Sequence, residues 1–174
     1  MIAISVDNSH QKNSRWFTGS GIYRHVWLSD GPLDVEIEPW SLRMVSSVPD
    51  KKGAVKVDVE FTVMNSSDSP VSRMAVVSVG SARVKRKIKV DAHSKIDVTI
   101  PLVVKDARLW SPDSPAIYHL TVDLTDNKGM ILDSESAKIG LRTIGWSAES
   151  GFLLNGEPML INGACVHHDN GILG

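Results

Sequence analysis

The sequence predicts an all-β fold, on three observations. Residues 54–64 put Val55, Val57, Val59, Phe61 and Val63 at every second position, with Lys56, Asp58, Glu60 and Thr62 between them. That is the period of a strand with one buried face. Comparable runs recur at roughly ten-residue spacing over about 100 residues, separated by turn-forming clusters. No stretch carries a helical stripe of useful length. Together these predict a seven-stranded, immunoglobulin-like β-sandwich, with partial strands of flanking domains at both ends. Cys165, the sole cysteine, leaves it without an inter-sheet disulfide.

Residues 1–29 do not fit the sandwich. Ile2-Ala3-Ile4-Ser5-Val6 alternates as a strand, and a polar loop then leads to Gly19–Leu28. A strand pair alone is marginal in water, so this stretch reads as the tail of a preceding domain. The sandwich is expected over 30–142. Leu33–Trp40 sets Val35 and Ile37 against Asp34, Glu36 and Glu38, and Val48-Pro49-Asp50-Lys51-Lys52-Gly53 turns the chain into the 54–64 strand. Asn65-Ser66-Ser67-Asp68-Ser69-Pro70 is the next turn. In the basic run that follows, Arg83, Lys85, Lys87 and Lys89 share one face, opposite Val84, Ile88 and Val90. This is a strand with a charged outer surface, of the kind that discourages edge-to-edge pairing. Lys95–Val104 and Ile117–Leu124 alternate again, and Asn127-Lys128-Gly129 reads as a hairpin loop into Ile131–Ile139. Residues 151–163 read as a short hairpin leading into a further strand, the head of a following domain that begins at 143.

Composition narrows the function classes. The 174 residues hold 19 Lys+Arg against 20 Asp+Glu, for a formal charge of -1. Such a balance gives no field to gather nucleic acid or anionic lipid, and neither partner is expected. No apolar run approaches the ~20 residues of a membrane helix. Met1 opens onto Ile-Ala-Ile-Ser-Val-Asp rather than a basic segment and then an apolar one, so an intact signal peptide is not expected.

Four segments carry a family likeness. They are Ser14–Leu28 (SRWFTGSGIYRHVWL), Leu109–Tyr118 (LWSPDSPAIY), Gly140-Leu141-Arg142-Thr143-Ile144, and Gly151–Pro158 (GFLLNGEP) followed by Asn162–Asp169 (NGACVHHD). In this order the chain resembles the β-galactosidase-like glycoside hydrolases of family 2. The first segment is similar to the close of the family's jelly-roll sugar-binding domain, the second to a turn of its immunoglobulin-like domain and the third to that domain's exit strand. The fourth is similar to the start of the catalytic (β/α)₈ barrel and its first strand. The resemblance implies retaining hydrolysis of β-linked sugars by two glutamates on later barrel strands that this chain does not contain. The chain is thus expected to be a non-catalytic middle fragment of such an enzyme, its sandwich a spacer between sugar-binding and catalytic domains. The parent's partner would be a carbohydrate, no cofactor is implied, and the family leaves periplasm and cytoplasm both open. His167 matches the histidine at the end of the first barrel strand, which implies a substrate-binding role in the parent enzyme only. Ile22, Val26, Leu28, Leu160 and Ile161, suited to absent neighbours, would be exposed and open to self-association.

Other residues invite chemistry. Asp133 and Glu135 alternate on one strand face about 6.5 Å apart, short of the geometry that places two carboxyls across a glycosidic bond, and are read as a solvated sheet face. His167 and His168 point to opposite faces, which argues against a shared metal ion. Cys165 reads as a small core residue of an apolar strand. Gly19-Ser20-Gly21 lacks the third glycine of a dinucleotide loop, since Arg24 stands there. In some family members an acidic residue ahead of the tryptophan helps hold an ion; here Ser14-Arg15 precede Trp16, and no ion site is assigned. Asn65-Ser66-Ser67 fits a glycosylation sequon but is read as a turn. Trp40 and Trp110 have the chemistry to stack on sugars, although the likeness implies that Trp110 packs on the sandwich. The competing reading of the whole is a stand-alone carbohydrate-binding or adhesion sandwich; a third is a relative whose barrel has lost its acids.

Overall fold

The structure is a computed structural model that describes residues 3–10, 21, 22, 25–28 and 34–165. Two compact units are distinguished, Met1–Ser29 with Ile161–Gly174, and Asp30–Leu160. Among its described residues the second unit holds eleven strands and no helix.

Two sheets form an immunoglobulin-like sandwich. In the first, β3 (Val55–Asn65) pairs along its whole length with β6 (Ser94–Val104). The other edge of β3 is shared end to end by β1 (Val35–Ile37), opposite Asn65–Val63, and β2 (Arg43–Ser46), opposite Glu60–Val57. In the second sheet β5 (Ala82–Val90), β4 (Val71–Val79), β7 (Tyr118–Thr125) and β8 (Ile131–Ile139) lie side by side, all antiparallel. The seven expected strands are thus present as seven lanes, the first of them divided. A three-stranded sheet follows, made of β9 (Ile144–Ser147), β10 (Gly151–Leu154) and β11 (Glu157–Pro158).

The division of the first lane has a local cause. Ser41 N–H donates to Glu38 O at 3.1 Å, closing a turn with Pro39 and Trp40 at its centre. Pro39 presets the first central φ, and the second central position of such a turn requires positive φ, which Trp40 adopts at 66°. Glu38 N–H still reaches Thr62 O, and Thr62 N–H donates to Ser41 Oγ, so β3 keeps its partners across the gap.

The core lies between the sheets. The alternating residues of β3 meet Ile100 and Leu102 of β6, Ala75, Val77 and Val79 of β4, and Leu120, Val122 and Leu124 of β7. Each of these buried side chains contributes roughly 1.5–3 kcal/mol of transfer free energy where it is a valine or larger. No alternation marks Val71–Val79, because the outward Val76 is itself 2% exposed. Asn65 closes one end of the core. It is 2% exposed, its Nδ2 faces the carbonyls of Ser69, Val90 and Asp91 at 2.9–3.2 Å, and its Oδ1 accepts from Ser67 N–H and Oγ–H.

In the first unit the described residues form no strand. Ala3–Val6, expected to alternate as one, lacks a ladder partner among them, and a side-chain turn from Ser9 N–H to Asp7 Oδ1 at 2.9 Å follows. That bond, then the Ser9 side chain, holds the Asp7 carboxyl below the usual carboxylate range. Ile22, Val26 and Leu28 are exposed, as are Leu160 and Ile161.

Candidate functional site

The densest set of polar contacts among motif residues lies where the chain leaves the sandwich. Between β8 and β9, residues 140–143 run without a strand assignment, whereas Gly140–Ile144 was expected to be a continuous exit strand. The segment is held instead by single bonds from different directions. Trp110 N–H donates to Leu141 O at 2.8 Å. Ser46 of β2 donates its hydroxyl to Arg142 O at 2.7 Å and accepts Arg142 N–H at 3.2 Å. Thr143 N–H donates to Asn155 Oδ1 at 3.0 Å, and Asn155 N–H returns to Thr143 O at 2.9 Å.

Asn155 reaches this position through its turn. Asn155 and Gly156 connect β10 to β11, both with positive φ, 56° and 87°. A two-residue hairpin loop with that geometry matches strand twist, and Asn-Gly is the pair that adopts it most readily. The Asn155 side chain then donates Nδ2–H to Trp110 O at 3.0 Å. Trp110 is fixed by a bridge to Pro115, and its ring packs on Gly140 with the Arg142 guanidinium 4.9 Å from the ring centre. A cation over an indole face is attracted by the ring quadrupole. The Leu-Trp-Ser-Pro turn, the exit segment and the hairpin thereby form one joint. It ties the outgoing chain to a sandwich turn and to strand β2. Sequence reasoning named all three segments but missed Asn155 and Ser46 as their connectors. The Asn-Gly pair was the available signal for the first.

The remaining candidates separate. His167, His168 and Asp169 lie outside the described residues, as do Ser14–Ser20 and Arg24. Asp133 and Glu135 are not on a solvated outer face. They stand opposite Leu124 and Val122 on the inward side of the edge strand β8, and Asp133 Oδ2 accepts Ile37 N–H at 2.7 Å. An inward position at a sheet rim is only half buried, which admits a carboxylate that satisfies the neighbouring sheet's backbone. Cys165 is exposed, in a stretch without strand partners, and so is not a core residue. The Asn65 amide, engaged on every side, is a turn element and no free acceptor. Arg83, Lys85, Lys87 and Lys89 are exposed and Ile88 and Val90 buried, the expected split. Trp110 packs on the sandwich, while Trp40 is 88% exposed. Among the described residues no three His, Cys, Asp or Glu side chains gather as metal ligands.

Comparison with known proteins agrees with this arrangement. Residues 35–142 match the family described as glycosyl hydrolases family 2. A β-galactosidase of Bacteroides ovatus, BoGH2A, is 36% identical over 181 residues, covering 100% of this chain and 21% of the relative. A putative β-glucuronidase of Formosa agariphila is 28% identical over 99% of this chain and 16% of its own length. Among solved structures, a family 2 member from Bacteroides cellulosilyticus superposes with TM-score 0.87 at 33% identity, over 97% of this chain and 24% of that one. The chain therefore spans about a fifth of the length of the curated relatives it matches. With the family match running from the first sandwich strand to Arg142 of the joint, the chain belongs to family 2 of the glycosyl hydrolases.

Proposed function

We propose that the chain is a non-catalytic middle piece of a retaining glycoside hydrolase, comprising the end of a jelly-roll domain (1–29), an immunoglobulin-like spacer (30–142) and the start of a catalytic barrel (143–174). The observation that carries the spacer role is the joint around Asn155, which locks the outgoing chain to both a sandwich loop and strand β2. Catalysis needs reacting groups held to sub-ångström tolerance, and a rigid spacer serves that need between two domains that both contact a sugar. The substrate class is a terminal β-linked sugar, and His167 would line its subsite once the barrel is complete. The two carboxyls of a retaining mechanism, ~5–5.5 Å apart, would come from later barrel strands. The test is hydrolysis of nitrophenyl β-galactoside and β-glucuronide by this chain and by the full gene product. Activity in the longer protein alone supports the reading; activity in neither removes it.

One observation favours a second reading, a stand-alone carbohydrate-binding sandwich: the exposed Trp40 on a rigid turn. It requires calorimetric binding of an oligosaccharide by the isolated chain, lost in Trp40→Ala.

A further inference from the structure

The second sheet carries its charge unevenly. On its edge strand β5 the outward positions Arg83, Lys85 and Lys87 are exposed and about 6.5 Å apart along the strand. In the next lane they stand opposite Ser78, Val76 and Met74. The three cations line a cleft of about 460 Å³ with Arg73 of β4 and Lys128 of the β7–β8 turn. Asp126, the one acid among the described lining residues, accepts the N–H groups of Lys128 and Met130 at 2.8 Å and so holds that turn. Arg73 is paired with Asp34 at 3.3 Å. Arg83, Lys85, Lys87 and Lys128 have no ion-pair partner among the described residues.

Guarding the sheet edge does not need the whole row. Arg86 has the inward parity of β5 and donates Nη1–H to Thr99 O of β6 at 2.8 Å. An inward charge at an edge is itself a guard against pairing with other chains. Arg83, Lys85 and Lys87 instead stand out of the sheet plane beside β4, where the outward Val76 is 2% exposed. Long cationic side chains cover such an apolar neighbour with their stems and keep their charged heads in water.

We propose that this row, with Lys128, is a binding surface for an anionic polysaccharide, whose carboxylates or sulfates pair with the cations in turn. The row extends about 13 Å along one strand, which suits an extended polymer of repeating charge better than a single small anion. Beside Arg83 the sheet continues outward through Ser78, Thr121 and Ser136 in one cross-strand row. Their hydroxyls both donate and accept, as pairing with sugar hydroxyls requires. A nucleic acid single strand would call for aromatic faces to stack on, and none of the described lining residues is aromatic. The choice of a glycan over other polyanions rests on the reading of the chain as part of a glycoside hydrolase.

The test is calorimetric titration of the 174-residue chain and of the full gene product with polygalacturonate, a sulfated galactan and an uncharged galactan. Binding of at least one charged polymer is expected, weakening as salt rises, and the two charged arms tell carboxylate from sulfate. Lys85→Glu/Lys87→Glu is expected to lower that affinity about tenfold. Lys51→Glu/Lys52→Glu makes the same change of net charge in the β2–β3 loop and is expected to leave it unchanged. All four side chains are exposed, so both variants are expected to melt with the parent chain. An equal loss in the two variants shows a response to net charge alone and overturns the proposal. So does equal binding of the uncharged galactan, binding of no polymer, or tighter binding of a single-stranded oligonucleotide. Hydrolysis of nitrophenyl glycosides by the full gene product is followed in parallel. Binding that depends on the row, without hydrolysis, keeps the surface and removes the enzyme reading. Hydrolysis without such binding removes the surface and leaves the enzyme reading intact.

Discussion

The Asn155 side chain spans 45 residues of sequence to donate to the Trp110 carbonyl at 3.0 Å, and its own carbonyl takes the Thr143 N–H at the same distance. One amide thus serves a hairpin loop, a sandwich turn and the exit segment. Asn155→Gly keeps the turn and loses the two side-chain bonds, an expected cost of about 1–2 kcal/mol. Asn155→Ala loses the bonds and also places a Cβ in left-handed backbone, adding about 1–2 kcal/mol. Urea denaturation of both variants separates the joint from the turn; an Asn155→Gly chain as stable as the parent would mean that the side-chain bonds contribute nothing.

Gly140 has a different reason to be glycine. A Cβ there would stand 2.7 Å from Cβ and Cγ of Trp110. Gly140→Ala is expected to cost about 1–3 kcal/mol by overpacking. Trp110→Ala in the same chain removes Cγ and the ring and should recover part of the loss, a non-additivity that a double-mutant cycle of thermal melts measures directly.

Asn65 faces three carbonyls with its amide. Asn65→Asp sets an acceptor against those acceptors and is expected to cost about 3 kcal/mol or more, beyond the about 1–3 kcal/mol of Asn65→Ala. The same burial predicts that the Asn65-Ser66-Ser67 sequon stays unmodified when the folded chain meets a glycosylating extract, which intact mass checks.

Trp40 holds φ 66° while 88% exposed, so its side chain gains little packing for the strain it carries. Trp40→Gly removes a left-handed penalty of about 1–2 kcal/mol and adds about 0.5–1 kcal/mol of chain entropy. A melting temperature equal to or above that of the parent chain is expected. A fall of several degrees would show that the indole makes contacts the burial does not register.

The sandwich was legible where one face of a strand is dry and the other wet. Val55–Val63 and Ile96–Val104 announce themselves because outward positions there are mostly charged or polar. Val71–Val79 did not, since β4 lies inside its sheet and the outward Val76 is covered. β2 has four residues, too few for a period to declare itself, and Val45 and Met44 are apolar on both of its faces. The joint was legible only as three separate motifs. What unites them is a side chain reaching across 45 residues, and local pattern carries no signal for that. The reading of Asp133 and Glu135 failed for a related reason: alternation says which residues share a face, and the sheet's partner decides whether that face is wet.

The sandwich is also stitched shut by its two ends. Ile37 meets Asp133 and Ser46 meets Arg142, each pair 96 residues apart. In a chain growing at about 5–20 residues per second, the first lane waits about 5–20 s for the strand that completes it. Throughout that interval the rim of the first sheet is open to other nascent chains. A first lane cut into pieces of three and four residues, with a proline turn between them, offers only a short template for such pairing while it waits.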